Sequence, residues 1–179
     1  IYNGFSISEN ESLLNVTKLS SDNKKLNLLW FSRTVGPFRG IEKFVNALRF
    51  CNRYISLHLL GFLVDGYDLV IKEQIKNQSN VDVYFHDFID HKNLLHFVAQ
   101  FDIGLALEEN INSNRNLTVT NKVLQYLQAG LHIICSDTEG HKEVKEKCSS
   151  CITIVDIDDP ISISTAINQI DLNNLKFDT

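Results

Sequence analysis

Asn121-Lys122-Val123-Leu124-Gln125-Tyr126-Leu127-Gln128-Ala129-Gly130-Leu131-His132-Ile133-Ile134-Cys135-Ser136 is the stretch whose reading decides the fold. Residues 121–129 read as a helix. Gly130 stops it, being the residue that most easily takes the left-handed conformation past a helix end. Residues 132–136 then form a short apolar strand. The same alternation continues outward in both directions. Downstream come a short helix at 142–147, a strand at 152–155, and a last helix at 161–170 with Pro160 at a favoured first-turn position. Upstream lie strands at 103–107, 81–85 and 56–60, the last ended by Gly61, with helices between them at 93–100 and 67–76. Residues 41–54 place Ile41, Phe44, Val45, Leu48 and Cys51 at helical spacing, and 26–32 is a continuous apolar run of strand length. Six strands apolar throughout, rather than at every second residue, predict a mostly parallel sheet covered by helices on both faces. This is a doubly wound α/β domain. Right-handed crossovers put every strand's C-terminal end on one edge, where ligands of such sheets bind. The functional residues are therefore expected in the loops 33–40, 61–66, 86–90, 108–120 and 137–143.

Composition narrows the classes further. The chain has 179 residues, 44% hydrophobic and 22% charged, which suits one globular domain. Residues 1–22 are polar and read as a linker with a short helix at 8–14; the folded domain is expected over 23–179. Seventeen Lys and Arg against twenty-two Asp and Glu give a formal charge of -5, which argues against nucleic acid as a partner. No apolar run approaches the ~18 residues needed to span a bilayer. The four cysteines lack a regular framework and are expected as reduced thiols in a cytoplasmic protein. The start at Ile1 rather than Met reads as a piece of a longer protein.

The loop after the first strand, Ser32-Arg33-Thr34-Val35-Gly36-Pro37-Phe38-Arg39-Gly40, holds two guanidiniums around a Gly-Pro turn and leads into a helix. Arginine binds phosphate bidentately, and a helix start adds amide donors and the positive end of a dipole. The long polar loop 108–120 precedes a helix that Thr120 or Asn121 would cap. Lys122 then stands in the first turn, a position that suits a bound anion. Glu143 is placed to accept hydrogen bonds from hydroxyls. Cys148 and Cys151 with His141 form only one ligand set where a structural zinc site needs two, so no metal is expected. Phosphate-loop, dinucleotide and Gly-x-Ser-x-Gly signatures are absent from the sequence.

Taken together, these loops resemble the C-terminal domain of GT-B glycosyltransferases of the family-4, or group 1, kind. Ile1-Tyr2-Asn3-Gly4-Phe5 resembles the segment where those enzymes pass from first to second domain. Leu29 through Arg33, and Arg39-Gly40-Ile41-Glu42, resemble the "GR…KG" loop whose two cations hold the donor diphosphate. Leu59-Leu60-Gly61 with Asp65-Gly66 is similar to the turn after the second strand. Residues 83–94 resemble the segment whose backbone, here at Phe88 and Ile89, meets the nucleotide base, with Asp87 replacing a Gly. The opening quotation resembles "NKlfEYlaaGlPvias", with His132 in place of Pro.

The resemblance implies a Rossmann-like domain, the second half of a GT-B fold, for a retaining and metal-independent enzyme. The donor would be a nucleotide-diphosphate sugar, with no separate cofactor. It implies catalytic roles for Arg33, Arg39 and Glu109, the last taking over from a glutamate whose position falls at Leu117; Glu108 is the alternative. Gly36, Gly61, Phe88, Ile89, Thr120, Asn121, Lys122 and Gln125 would bind the donor, Gln125 standing where the family has its ribose-binding glutamate. An N-terminal acceptor domain is the implied partner. Through it the enzyme would dock on the inner face of a membrane, in surface polysaccharide or glycolipid assembly. The alternatives are a nucleotide- or sugar-binding module with a degenerate site, and a flavodoxin-like domain. The latter would want an acidic cluster where Arg33 stands.

Overall fold

The structure, a computed structural model, describes residues 16–19, 25–109 and 116–172. The expected helix at 8–14, the segment Ile1 to Phe5 and the middle of the 108–120 loop lie outside them. Six strands form one sheet: β1 (Lys25–Val35), β2 (Tyr54–Leu63), β3 (Val81–His86), β4 (Ile103–Ala106), β5 (His132–Ser136) and β6 (Ile152–Val155). All pair in parallel, in the order β3-β2-β1-β4-β5-β6. The order reverses between β1 and β4. The helices are α1 (Ile41–Ala47), α2 (Tyr67–Ile75), α3 (His91–Val98), α4 (Asn121–Gln128), α5 (Glu139–Lys147) and α6 (Pro160–Gln169).

Both faces of the sheet are buried, as the unbroken apolar strands require. Leu26, Leu28 and Trp30 of β1 pack with Phe44 of α1 and Ile163 and Ile167 of α6 on one face. Leu29 and Phe31 turn the other way, onto Val98, Val123 and Tyr126. Helix starts are set by local caps: the carboxylates of Asp90 and Asp159 accept from Lys92 N and Ile161 N, and the Thr138 hydroxyl accepts from His141 N. Gly130 ends α4's turn at φ 68°. No helix among the described residues is long and apolar enough to cross a membrane.

Three expectations are corrected. Gly61 does not end β2; the strand runs on to Leu63. At φ 143°, a side chain on Gly61 would put its Cβ 2.1 Å from the Ser32 carbonyl oxygen. The glycine therefore permits a close approach of β1, whose register against β2 slips between Phe31 and Thr34. The helix expected over 41–54 stops at Ala47, followed by a single tight turn, Leu48–Phe50. Tertiary bonds pull the chain out of helix beyond it: the Asn80 amide donates to Cys51 O and Arg53 O, and Asn52 N donates to Asn168 Oδ1. Finally, the four cysteines are not all reduced. Cys148 and Cys151 form a disulfide, because the tight turn after α5 brings their Cα atoms to 5.6 Å. Cys51 and Cys135 stay free and buried, and burial pushes both thiols up to about 12.

Candidate active site at the strand ends

A cavity of about 990 Å3 opens at the C-terminal edge of the sheet. Four stretches wall it, namely the slipped end of β1, the end of β2, the β3–α3 connection into α3, and the start of α4. Arg33 lies within the register slip and lines the cavity, exposed, beside Phe31 and Ser32. From β2 and the β3–α3 connection come Phe62 and Phe88, stacked with ring centroids 5.1 Å apart and planes 3° from parallel. Ile89 continues that wall. Opposite, the first turns of α4 contribute Thr120, Asn121, Lys122 and Gln125.

The α4 start is polar and only partly satisfied by the described residues. Thr120 occupies the N-cap position, yet its side chain makes no capping bond, and its buried Oγ1 has no hydrogen-bond partner among the described residues. Five residues further on, Gln125 is almost wholly buried while still lining the cavity. The Lys122 ammonium lies 2.8 Å from Glu108 Oε1, with the two side chains only 13% and 17% exposed. Glu108 is held in turn by its backbone N–H, which donates to Ser136 Oγ at 2.9 Å. His141, fully buried in the first turn of α5, donates from Nδ1 to Ser136 O at 2.8 Å and leaves Nε2 without a partner among the described residues. Burial holds its pKa below the ordinary histidine value, while Glu108 pulls it up and Lys122 down.

The expected site residues therefore divide. Arg33, Phe88, Ile89, Thr120, Asn121, Lys122 and Gln125 come together around the cavity. Arg39 is exposed on the loop between β1 and α1, just after Phe38 at φ 61°, and is not among the lining residues. Gly36 and Gly61 also stand back from the lining; both serve close packing, Gly36 against Val64 and Gly61 against Ser32. Glu109 turns toward α1, 3.6 Å from Lys43, whereas Glu108 pairs with the cavity-lining Lys122 without itself lining the cavity. Adjacent residues leaving a strand point apart, and spacing alone cannot say which one faces the site. Phe62 was not anticipated; an aromatic within 61–66, one of the stretches expected to carry function, was the available signal. Among the described residues, no group of three or more His, Cys, Asp or Glu converges as a metal site.

No protein-family model matches the sequence, and no curated protein does. Solved structures match the fold. Over 94% of this chain, HepE (Alr3699) of Anabaena, in complex with UDP and glucose, superimposes with a TM-score of 0.64 at 19% identity. WaaG, a glycosyltransferase involved in lipopolysaccharide biosynthesis, does so over 94% with 0.58 at 14% identity. The chain spans 46% of HepE and 41% of WaaG, under half of either. It spans 88% of the C-terminal domain of a group 1 glycosyltransferase, LpcC from Francisella tularensis, at TM-score 0.63 and 11% identity. The fold is that of the C-terminal domain of GT-B glycosyltransferases.

Proposed function

We propose that this domain binds the donor of a retaining glycosyltransferase, which transfers a sugar from a nucleotide-diphosphate sugar to an acceptor. One observation carries the reading: a single cavity brings Arg33, Lys122 and the orphaned Thr120 hydroxyl to one side and the Phe62–Phe88 pair to another. Cations beside a helix start suit a diphosphate, and an exposed aromatic stack suits a base. Phe88 and Ile89 form the base end, and Gln125 meets the ribose hydroxyls. Glu108, rather than Glu109, faces the transferred sugar. In the reaction the bond from the anomeric carbon to the diphosphate oxygen breaks. The diphosphate leaves with the electron pair, and the acceptor oxygen bonds to that carbon as its proton departs. Arg33 and Lys122 are positive charges where the leaving group's negative charge grows, so the chain's own cations serve in place of a metal. An N-terminal domain of the whole enzyme supplies the acceptor and closes the cleft against water. WaaG's involvement in lipopolysaccharide biosynthesis supports a place in surface polysaccharide or glycolipid assembly.

A thermal-shift screen of UDP, GDP, ADP and CMP tests the pocket and identifies the base. The likeness to HepE makes UDP the first choice. At least one nucleotide should raise Tm, and Arg33→Ala and Lys122→Ala should each remove most of that rise. No shift from any of the four would overturn the reading. Gln125, uncharged at the family's glutamate position, favours a second reading: a binding module without transfer. Nucleotide binding by the full-length protein with no sugar transfer would decide for it.

A further inference from the structure

Trp30 is fully buried in β1, and its indole Nε1 has no hydrogen-bond partner among the described residues. Burying an N–H without an acceptor is costly, and phenylalanine would fill much of the same space without that cost. Packing alone therefore does not explain an indole here. What indole offers over a phenyl ring is a more negative face, the best of any side chain for holding a cation. A cation is there: the Lys122 ammonium lies 5.1 Å from the Trp30 ring centroid. That lysine is rooted on α4, whose Val123 and Tyr126 pack on the opposite face of the sheet, and its side chain is largely withdrawn from water. A desolvated ammonium needs partners on more than one side. Glu108 supplies one and the ring face the other.

We propose that Trp30 is a positioning residue for Lys122. Its ring face holds the ammonium at the cavity wall, where Lys122 exchanges Glu108 for a phosphate oxygen as a nucleoside diphosphate enters. This rests on the reading of the cavity as a diphosphate site. Trp30 is also the chain's sole tryptophan, so its emission reports on the ammonium directly.

Two measurements test it on the full chain. In the first, calorimetry compares UDP, or whichever diphosphate the thermal-shift screen selects, with its parent nucleoside. Trp30→Leu should weaken the diphosphate about three- to tenfold, and Trp30→Phe by less, while nucleoside affinity stays unchanged in both. In a Lys122→Met background, Trp30→Leu should add nothing. Equal losses for diphosphate and nucleoside, or additive losses in the double variant, would mean that Trp30 only packs, and would overturn the proposal. In the second, Lys122→Met without any ligand should change the Trp30 emission spectrum. An unchanged spectrum refutes contact with the ammonium. If the wild type binds no diphosphate, the reading of the cavity fails along with the proposed exchange. The emission of Lys122→Met then decides by itself whether the ring holds the ammonium.

Discussion

Gly104, in the middle of β4, has no room for a side chain: a Cβ there would lie 2.3 Å from the Tyr126 ring. The tyrosine that uses this space donates its hydroxyl to Leu29 O at 3.0 Å, with Leu105 O at 3.3 Å, and so ties α4 to β1 and β4 at full burial. Since α4 carries Lys122 and Gln125, this glycine–tyrosine contact fixes the depth of the cavity wall. Tyr126→Phe leaves the buried carbonyls short of a donor and should cost about 1–2 kcal/mol in chemical denaturation. Gly61→Ala combines a disfavoured φ with a clash against the β1 backbone. It should lose at least about 2 kcal/mol and, by displacing the Ser32–Arg33 backbone it would clash with, weaken nucleotide binding too. Nucleotide affinity in Gly61→Ala equal to wild type would separate Arg33's position from the Gly61 contact.

At the scale of elements, α5 acts as a buttress. Glu139 N donates to Asn116 Oδ1 at 3.1 Å, and a Cβ on Gly140 would meet Thr118 O at 2.6 Å, so the helix start lies directly against the segment leading into α4. Gly140→Ala should push that segment into the cavity and lower nucleotide affinity several-fold, with a smaller change in stability. The far end of α5 is closed by the Cys148–Cys151 disulfide. A loop that short restricts the unfolded chain little, so reduction should cost no more than about 2 kcal/mol. Iodoacetamide labelling of the folded protein at pH 8, read by mass spectrometry, should modify none of the four cysteines without reductant and two after mild reduction. Burial and the raised pKa of Cys51 and Cys135 keep the remaining pair unreactive. Labelling of Cys135 under native conditions would contradict this packing.

For the molecule as a whole, buried histidines set the response to acid. His58 is stacked on Tyr84 and set edge-on against Phe101, and its Nδ1 lies 2.8 Å from His86 Nε2. Burial, then the neighbouring His86 and Lys25, push its pKa down to about 4, and burial lowers His86, His132 and His141 as well. The unfolded chain takes up these protons near pH 6.5 while the folded chain refuses them. Their stabilising contribution is therefore complete above about pH 6.5 and is lost as the pH falls toward 4. For His58 alone this is about 1.4 kcal/mol per pH unit across that window. Urea unfolding at pH 7, 6 and 5 should show the decline, and His58→Gln should flatten it. Equal slopes in the two proteins would remove His58 as the cause.

Alternation of apolar runs and helical spacing was enough to order the six strands and their helices along the chain, because the burial of both faces writes itself into every strand. Strand 132–136 and strand 152–155 were legible to the residue. The two-cation loop, the lysine of α4 and the base-side pair Phe88 and Ile89 could also be read as candidates, since strand-end loops are where such sheets bind ligands. Which candidates meet was a tertiary matter. The backbone carbonyls of Ser32 and Arg33 pack against Gly61, a residue on another strand. Glu108 and not Glu109 faces Lys122 because Ser136 of β5 fixes the backbone there. Trp30 finds Lys122 across 92 residues of chain. Periodicity records what is buried along one element, whereas a site is made of contacts between elements, which no local pattern encodes.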